Sequence, residues 1–378
     1  MAVRLTNKRI RVGLIFGGRS GEHEVSLRSA RSIMDAIDKD KYEVLPIGIT
    51  KQGRWIAGGD PLAALKAGQE TTPAALLGEP GERTIMAVEP AASQHGLSLR
   101  DIATVDVIFP ALHGPYGEDG TIQGLLELAD IPYVGAGVAG SAVGMDKALF
   151  KSIMQACGIP ILPYILVLRS DWEADSDEVL ARIESHLKYP VFAKPANLGS
   201  SVGVHKATNS ASLRQALDDA ARYDRRLLVE QGIMGREIEV SVLGNEEPIV
   251  SIPGEVIPSD EFYSYEDKYL RDEARLVIPA PLDPAQIAQI QENALVAFKA
   301  IDCAGLARCD FFVDKESGTV WMNELNTIPG FTSISMYPKL WEASGISYSD
   351  LIDRLIQLAL ERHTDKQRNK TSYEPEGE

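Results

Sequence analysis

An arginine and three possible metal ligands lie close together in the sequence, towards the C-terminal end of the chain. Arg308 and Asp310 lie two residues apart in one strand-like stretch, and Glu324 and Asn326 lie two apart in the next. Residues two apart in a strand face the same way. Carboxylate and amide oxygens suit Mg²⁺ ions that are shared with nucleotide phosphates. The pattern favours such a site, although a solvated sheet face with one Arg–Asp ion pair has the same spacing.

The polar loop 314–318 joins these two stretches and predicts a hairpin. A register with Val313 opposite Thr319 brings the four polar side chains onto one side of it. The other side then carries a face that we expect to be buried, made of Cys309, Phe311, Trp321 and Leu325. The turn 326–333 follows at once with exposed backbone amides, which favours a binding site over a solvated face.

A glycine-serine turn at 193–203 (AKPANLGSSVG) is a candidate phosphate site. Its backbone N–H groups can lie over phosphates, and Lys194 adds a point charge. The alternative is an ordinary hairpin with a solvated lysine. The P-loop pattern G-x-x-x-x-G-K-[ST] does not occur, and the G-x-G-x-x-G match at 135–140 lacks a convincing strand before it and an acid about 20 residues later. We interpret 135–140 as a structural linker.

The elements that must position these groups form three units. In the first, strand-like runs at 11–16, 44–49 and 105–110 alternate with a helix at 26–37, which predicts a mostly parallel, helix-covered sheet. The segment 51–100 is rich in Gly, Pro and Ala, and we expect weaker structure there.

A second, α+β unit follows the glycine cluster. We predict helices at 147–157, 177–188 (with Ser176 as N-cap) and 211–222, and strands at 164–168, 191–193, 202–206 and 227–230. The third unit holds a strand at 237–243, a polar loop at 259–271, a helix opened by Asp283-Pro284, the hairpin and a last helix. That last helix has an apolar stripe of Leu351, Ile352, Leu355, Ile356 and Ala359. Residues 364–378 have no apolar face and are predicted to be disordered.

Composition narrows the class of protein. A chain of 378 residues suggests two or three domains, and its net charge of −16 argues against nucleic-acid binding. The longest uncharged stretch, 152–168, contains two prolines, so no membrane span is expected. Residues 1–11 lack the apolar core of a secretory signal. Three cysteines without C-x-x-C spacing favour a reducing cytosol, so we expect a cytoplasmic protein.

Several segments, in order, resemble the motifs of the D-alanine–D-alanine ligase family, which belongs to the ATP-grasp superfamily. They are 16–27 (FGGRSGEHEVSL), 111–124 (ALHGPYGEDGTIQG), 145–147 (MDK), 194–203, 230–237, 265–269 (YEDKY), 308–310 (RCD) and 324–326 (ELN). The resemblance implies an α/β and α+β multidomain ATP-grasp fold. Its units would be an N-terminal, Rossmann-like, parallel-sheet substrate domain at 1–139, a central subdomain at 140–230, a C-terminal subdomain at 231–363 with a mobile lid at 259–271, and the tail 364–378.

The family resemblance also implies a reaction. ATP would phosphorylate the carboxylate of one D-alanine, and the amine of a second D-alanine would then displace phosphate to give D-alanyl-D-alanine for peptidoglycan precursor synthesis. The implied partners are D-alanine, ATP and a second copy of the chain in a homodimer, with neither nucleic acid nor membrane. The alternatives are a D-alanine–D-lactate ligase and a catalytically silent nucleotide-binding regulator. The complete metal quartet speaks against the regulator.

The resemblance assigns substrate and nucleotide roles residue by residue. It implies that Glu22 holds the ammonium of the first D-alanine, with His113 beside it. Three lysines would hold the phosphates: Lys147, Lys194 and, for the γ-phosphate, Lys268. The adenosine would contact Glu230, Glu237 and the backbone of Gly232 and Ile233. Glu22 could also be an acid in the first turn of a helix, His113 an ordinary turn histidine, and either Glu230 or Glu237 a solvated strand-end charge.

The same resemblance assigns the metal site and the reacting centre. Two Mg²⁺ (or Mn²⁺) ions would bind Asp310, Glu324 and Asn326, with Glu324 bridging. Arg308 and the Gly330 amide would stabilise the tetrahedral oxyanion, and Ser335 and Met336 would seat the second D-alanine carboxylate. Ser200 and Tyr269 would join Glu22 to hold the lid closed. The alternative for Tyr269 is a half-buried loop aromatic.

Overall fold

A computed structural model describes residues 9–69, 71–91, 96–199, 202–258 and 275–372 of the chain. Across these ranges the strands form four sheets. No helix in them is both long enough and apolar enough to cross a lipid bilayer. The predicted lid 259–271 lies outside the described residues.

The first sheet is mostly parallel, as the alternation of strands and helices predicts. Its part of the chain contains β1 (Ile10–Gly17), α1 (His23–Ala36), β2 (Tyr42–Ile49), β3 (Trp55–Ala57), α2 (Pro61–Ala67), β4 (Ala74–Leu76), β5 (Thr84–Pro90), β6 (Leu97–Thr104), β7 (Val107–Ala111) and α3 (Thr121–Leu128). The strand order is β3-β2-β1-β7. Strand β1 runs parallel to both β2 and β7, and β3 is antiparallel to β2.

The segment 51–100 is more ordered than its composition predicts. It contributes β3 and α2, and its strands β4, β5 and β6 form a three-stranded antiparallel sheet. This small sheet buries Ile85 and Ala87 completely, and Ile85 packs with Ile47 and Ile108 of the first sheet. Tertiary burial of a few apolar side chains therefore orders a stretch whose glycines and prolines mark only the turns.

The second part of the chain forms an antiparallel sheet of order β10-β9-β11-β8. Its elements are α4 (Val138–Met145), α5 (Lys147–Ala156), β8 (Tyr164–Leu168), α6 (Arg169–Ala174), α7 (Ser176–His186), β9 (Val191–Pro195), β10 (His205–Ala207), α8 (Ser210–Ala220) and β11 (Arg226–Gln231). The predicted N-cap Ser176 is wrong. Asp175 caps α7 by accepting from the Glu178 amide at 2.9 Å, while the Ser176 hydroxyl accepts from Arg214.

The third part forms a larger antiparallel sheet, ordered β15-β14-β12-β16-β17 with β13 beside β12. Its elements are β12 (Gly235–Gly244), β13 (Ile249–Val250), β14 (Gly254–Ile257), β15 (Arg275–Val277), α9 (Pro284–Ala300), β16 (Gly305–Asp314), β17 (Val320–Asn326), α10 (Met336–Ala343) and α11 (Tyr348–Lys366). Helix α9 begins after Asp283, which forms a capping box with Gln286, as the Asp-Pro pair predicts.

The last helix ties the end of the chain to its first sheet. The five residues of its predicted apolar stripe are all buried. They share one hydrophobic core with β1, β7 and α1, so α11 and α1 cover the same face of the first sheet. The helix extends to Lys366, beyond Thr364, and Gln367 donates to Asp130 at 2.6 Å. Ordered structure therefore continues past the predicted start of disorder.

The β16–β17 hairpin brings the polar quartet together by a different register from the predicted one. Val313 lies opposite Val320 rather than Thr319. A β-bulge then makes Asn323 an extra residue, so that Asp310 faces Glu324 and Arg308 faces Asn326.

The bulge also changes which side chains of β17 are buried. Val320 and Met322 lie in the core, whereas Trp321, predicted to be buried, is half-buried on the other side. The remaining residues of the predicted buried face, Cys309, Phe311 and Leu325, are buried as expected.

The glycines of 135–140 serve close packing. A Cβ atom on Gly140 would lie 2.9 Å from the carbonyl oxygen of Asp302 and 3.1 Å from that of Ile301. A Cβ on Gly305 would lie 3.1 Å from the amide nitrogen of Gly135. These close approaches to neighbouring backbone agree with the interpretation of this segment as structural. The segment is also more tightly packed than a linker, since Ala136 within it is buried.

We expect Gly140→Ala to lower the free energy of unfolding by roughly 1–3 kcal/mol, because backbone must move to admit the methyl group. Gly124→Ala is the matched control, since Gly124 also lies within a helix but a methyl group there would have no atom within 4 Å beyond the backbone of its own helix. That control should stabilise by up to about 1 kcal/mol through helix propensity. Urea denaturation measures both changes, and equal stabilisation by the two variants would contradict the packing role.

Candidate active site

A cavity of about 680 Å³ lies between the sheet of β8–β11 and the sheet of β12–β17, and the first sheet closes it at one end. It is lined by the following predicted site residues: Glu22, His113, Lys147, Lys194, Glu230, Gly232, Ile233, Glu237, Arg308, Asp310, Glu324, Asn326, Gly330, Ser335 and Met336. The structure thus brings together every predicted site residue that it describes. Ser200, Lys268 and Tyr269 lie outside the described residues, so their roles stay predictions.

One wall of the cavity is acidic and is organised by Arg308. Its guanidinium donates twice to Asp310, with both distances 2.7 Å, and its Nε lies 3.0 Å from Glu239. Glu239 on β12 is directly opposite Asp310 on β16, so two like charges face each other across the ladder. Arg308 offsets both charges. Asn326 adds a hydrogen bond from Nδ2 to Asp310 at 3.0 Å.

The opposite wall carries lysines. Lys194 on β9 and Glu230 on β11 point into the cavity, while Ala193 and Val229 point into the core behind the sheet, as strand alternation requires. Lys194 Nζ lies 2.7 Å from Glu230 Oε2. Lys151 contacts the other carboxylate oxygen of Glu230.

Lys147 connects the two walls. It is the first residue of α5, which Asp146 caps by accepting from the Ala148 and Leu149 amides. Lys147 Nζ donates to the Leu198 carbonyl at 2.8 Å and lies 3.5 Å from Glu324 Oε2. A cation thus stands between the glycine-serine turn and the carboxylates of the hairpin.

Glu22 lies at the end of the cavity formed by the first sheet. It is buried and precedes α1 as its N-cap residue, but its side chain does not cap the helix. Its carboxylate packs against two glycines: added Cβ atoms would lie 2.3 Å from Glu22 Oε2 at Gly114 and 3.3 Å at Gly199. The glycines therefore make room for this acid, which favours a binding role over a simple first-turn charge.

His113 is a buried, neutral connector. Its Nδ1 lies 3.0 Å from the Ile328 carbonyl, which can only accept, so Nδ1 carries the proton and Nε2 accepts from the Ser29 hydroxyl at 2.9 Å. Burial lowers the pKa of His113, although the nearby Glu22 carboxylate opposes this shift. His113 thus joins α1 to the turn after β17.

Glu118 is a cavity residue that the sequence reasoning did not single out. It accepts from the Gly114 amide at 2.6 Å and from the Ile328 amide at 3.3 Å. Burial, and then the neighbouring Glu22 carboxylate, raise the pKa of Glu118 to about 8. Its position five residues after His113, in a glycine-rich loop, was the available signal.

Glu118 should make the ligand-free protein less stable as the pH rises. Its pKa of about 8 in the folded state exceeds the usual 4.5, so the folded state holds the proton up to a higher pH than the unfolded state does. Proton binding therefore stabilises the folded state at low pH, and this contribution is lost as the pH rises between those two values. Glutamine does not titrate, so we expect the free energy of unfolding of Glu118→Gln to rise relative to that of the unmodified protein. In urea denaturation the difference should grow by up to about 1 kcal/mol per pH unit between about pH 5.5 and 7.5. The exposed Glu79→Gln is the control. Parallel pH profiles for Glu118→Gln and unmodified protein would contradict the shift.

The turn after β17 leads to the start of α10, which faces the cavity. Ser335 is the N-cap residue, and its hydroxyl accepts from the Thr332 amide at 3.0 Å instead of capping the helix. An added Cβ on Gly330 would lie 3.2 Å from Ser335 Oγ. Helix N-termini leave backbone N–H groups without intrahelical partners and attract carboxylates. Gly330, Ser335 and Met336 therefore suit an anionic group.

The donor set of the hairpin suits a hard divalent cation. Asp310, Glu324 and Asn326 present two carboxylates and an amide to the cavity. Asn326 uses its nitrogen towards Asp310, so its oxygen is not part of that contact. Within the described ranges, no group of three or more His, Cys, Asp and Glu side chains could hold a metal ion. A cation here would therefore complete its shell with phosphate oxygens and water.

Comparison with protein families decides the relationship. The profile described as "D-ala D-ala ligase N-terminus" matches residues 11–136, and that described as "D-ala D-ala ligase C-terminus" matches residues 153–357.

The chain belongs to the D-alanine–D-alanine ligase family. A D-alanine–D-alanine ligase of Heliobacterium modesticaldum is 53% identical over 367 residues, covering 96% of this chain and 98% of the relative. One of Natranaerobius thermophilus is 49% identical over 369 residues, covering 97% and 99%.

Solved structures of the family have the same architecture. The D-alanine-D-alanine ligase from Coxiella burnetii aligns with a TM-score of 0.81 at 37% identity, covering 95% of this chain and 96% of that one. The VanG D-Ala:D-Ser ligase from Enterococcus faecalis aligns with a TM-score of 0.78 at 36% identity, covering 93% and 100%. The predicted ATP-grasp fold is therefore confirmed.

Two more residues escaped the sequence reasoning: Glu239, which lines the cavity, and Lys151, which lies behind its wall. Lys151 follows Lys147 by four positions, so a helix places both on one face. Glu239 follows Glu237 by two, so a strand places both on one side. These spacings were visible in the sequence. Their partners were not, because Glu230 and Arg308 reach them only through tertiary contacts.

Proposed function

We propose that the chain is an ATP-dependent enzyme that joins two D-alanine molecules into D-alanyl-D-alanine, for peptidoglycan precursor synthesis. The observation that carries the proposal is the contact of Lys147 with Glu324 inside one cavity. It brings a lysine suited to bind phosphate beside a carboxylate suited to bind a metal ion, and phosphoryl transfer uses both kinds of group. The near full-length identity to D-alanine–D-alanine ligases supports the same reaction.

Within this proposal, the lysine wall binds the nucleotide. Lys147 and Lys194 hold its α- and β-phosphates, and Lys268 holds the γ-phosphate. The adenosine lies along Glu230 and Glu237, with the backbone of Gly232 and Ile233 beside the adenine. Every one of these residues except Lys268, which lies outside the described residues, lines the cavity, and this supports the assignment.

Asp310, Glu324 and Asn326 hold the metal. We propose that they would hold two Mg²⁺ (or Mn²⁺) ions, and that Glu324 would contact both. The metal, when bound, neutralises charge on the phosphates during transfer. Arg308 keeps Asp310 in position through its two hydrogen bonds.

The substrates occupy the end of the cavity between Glu22 and α10. Glu22 pairs with the ammonium of the first D-alanine, whose carboxylate oxygen attacks the γ-phosphorus and forms an acylphosphate as ADP leaves. The start of α10, at Ser335 and Met336, holds the carboxylate of the second D-alanine. The amine of that second D-alanine attacks the acyl carbon, loses a proton and expels phosphate. Arg308 and the Gly330 amide stabilise the oxyanion formed in that step.

Several finer assignments rest on the resemblance alone. The lid at 259–271, its tie through Ser200 and Tyr269 to Glu22, the homodimer and a cytoplasmic location stay predictions. So do the unit boundaries at 139, 230 and 363. The family relationship does not favour the D-lactate ligase or the silent regulator.

A product assay tests the proposal. The protein is incubated near neutral pH with ATP, Mg²⁺ and equimolar D-alanine, D-serine and D-lactate, and the products are separated by mass spectrometry. We expect phosphate release only with D-alanine present, and D-alanyl-D-alanine as the main product. Mainly D-alanyl-D-lactate or D-alanyl-D-serine would contradict the substrate assignment. ATP binding without ligation would favour the regulator.

A further inference from the structure

Lys151 is a buried cation that the proposed reaction does not use. It lies in the middle of α5, and its side chain is 0% exposed, whereas that of Lys194 is 10% exposed. Its neighbours on the helix, Phe150 and Met154, belong to the hydrophobic core. A charged ammonium in such surroundings is costly unless it is paired. Lys151 does not line the cavity, so a bound nucleotide would not touch it.

Glu230 pairs with Lys151. One of its carboxylate oxygens contacts Lys151 Nζ, and the other lies 2.7 Å from Lys194 Nζ. Burial opposes the charge of Glu230, yet the two lysines hold its pKa below the usual range. The carboxylate thus stands between a lysine behind the cavity wall and a lysine in front of it.

The two lysines differ in what they can do. Lys194 lines the cavity and can turn away from Glu230 towards a phosphate. Lys151 is enclosed by the core and has no such alternative. When a buried ion pair loses one partner, the charge left behind is strongly destabilising. A nucleotide that draws Lys194 away would create such a charge unless a second cation stayed beside Glu230.

We propose that Lys151 is a positioning residue that acts as the permanent counter-ion of Glu230 and thereby frees Lys194 to bind phosphate. This inference rests on the proposed nucleotide site, and it gives Lys151 a role that involves no contact with the nucleotide. The role predicts a specific signature. Loss of Lys151 should weaken the binding of ligands that carry phosphate, because those ligands need Lys194. It should leave the binding of the bare nucleoside nearly unchanged.

Calorimetric titration of the Lys151→Met variant with ADP and with adenosine, in the presence of Mg²⁺, tests this signature. We expect ADP affinity to fall by roughly 10- to 100-fold and adenosine affinity by less than about threefold. The exposed Lys188→Met variant is the matched control and should leave both affinities unchanged. Equal losses for ADP and adenosine would show that Lys151 only shapes the pocket, and unchanged ADP affinity would show no role; either result overturns the inference.

A double variant keeps the test decisive if Lys151→Met alone does not fold. With Glu230→Gln there is no buried carboxylate to leave unpaired, so adding Lys151→Met to Glu230→Gln should change ADP affinity by less than about threefold. A loss of about tenfold or more in that comparison would overturn the inference. Failure of the unmodified protein to bind ADP would contradict the proposed function itself. ADP binding by the unmodified protein, with the wrong pattern in the variants, would contradict only the inference about Lys151.

Discussion

Glu324→Gln should nearly abolish ligation while leaving the fold intact. The carboxylate faces Asp310 across the hairpin and lies 3.5 Å from Lys147 Nζ, at the meeting point of the two cavity walls. A neutral amide of the same shape could not offset the charge of the divalent cations that we propose to bind here. We expect kcat to fall on the order of 10³-fold, because several kcal/mol of charge stabilisation are lost.

The comparison for Glu324→Gln is Glu316→Gln, in the exposed loop of the same hairpin. Both variants should keep the thermal midpoint of the unmodified protein within a few degrees, and only Glu324→Gln should lose turnover. The Mg²⁺ concentration for half-maximal activity should also rise in that variant. Full activity of Glu324→Gln at limiting Mg²⁺ would rule out its place in the metal site.

Arg308→Lys should lower kcat by about 10²-fold, as expected when one donor to a developing oxyanion is lost. A lysine keeps the positive charge but not the planar fork that donates twice to Asp310 and also reaches Glu239. The ammonium therefore cannot reproduce the contacts with both carboxylates and also present an N–H group to the oxyanion of the proposed reaction.

Arg236→Lys is the matched control for this change. Arg236 makes the same twofold contact, at 2.8 and 2.7 Å, with Glu255 on the neighbouring strand, but it does not line the cavity. The two variants should lose similar amounts of stability in urea denaturation, and steady-state kinetics should show a kcat defect for Arg308→Lys alone. Equal kinetic defects in both variants would assign Arg308 a structural role only.

Local patterns were enough to predict most of the elements that carry the site. Alternation along β16 and β17 predicted that Arg308, Asp310, Glu324 and Asn326 share one side, and the structure confirms it. The register itself was wrong by one residue at the turn, where Val313 pairs with Val320, and the bulge at Asn323 shifts it by one more. Period-two reasoning cannot detect one extra residue when polar and apolar side chains alternate on both sides of it.

The contacts between distant parts of the chain were beyond local reasoning. Residues 51–100 look weak in composition, yet Ile85 is buried against the first sheet. Burial, which raises the pKa of Glu118, and the pairing of Lys151 with Glu230 likewise arise from elements far apart in sequence. The motif resemblance identified the predicted site residues but not these contacts between distant elements. It could not reveal partners that lie outside the motifs.

The most direct test of the proposed reaction follows oxygen from substrate to phosphate. The protein is supplied with ATP, Mg²⁺ and D-alanine labelled with ¹⁸O in both carboxylate oxygens, and phosphate and dipeptide are analysed by mass spectrometry. Attack by the carboxylate on the γ-phosphorus, followed by cleavage of the acyl C–O bond, predicts one ¹⁸O atom in each phosphate released and D-alanyl-D-alanine in equal amount. Unlabelled phosphate, or labelled phosphate without dipeptide, would contradict ligation through an acylphosphate.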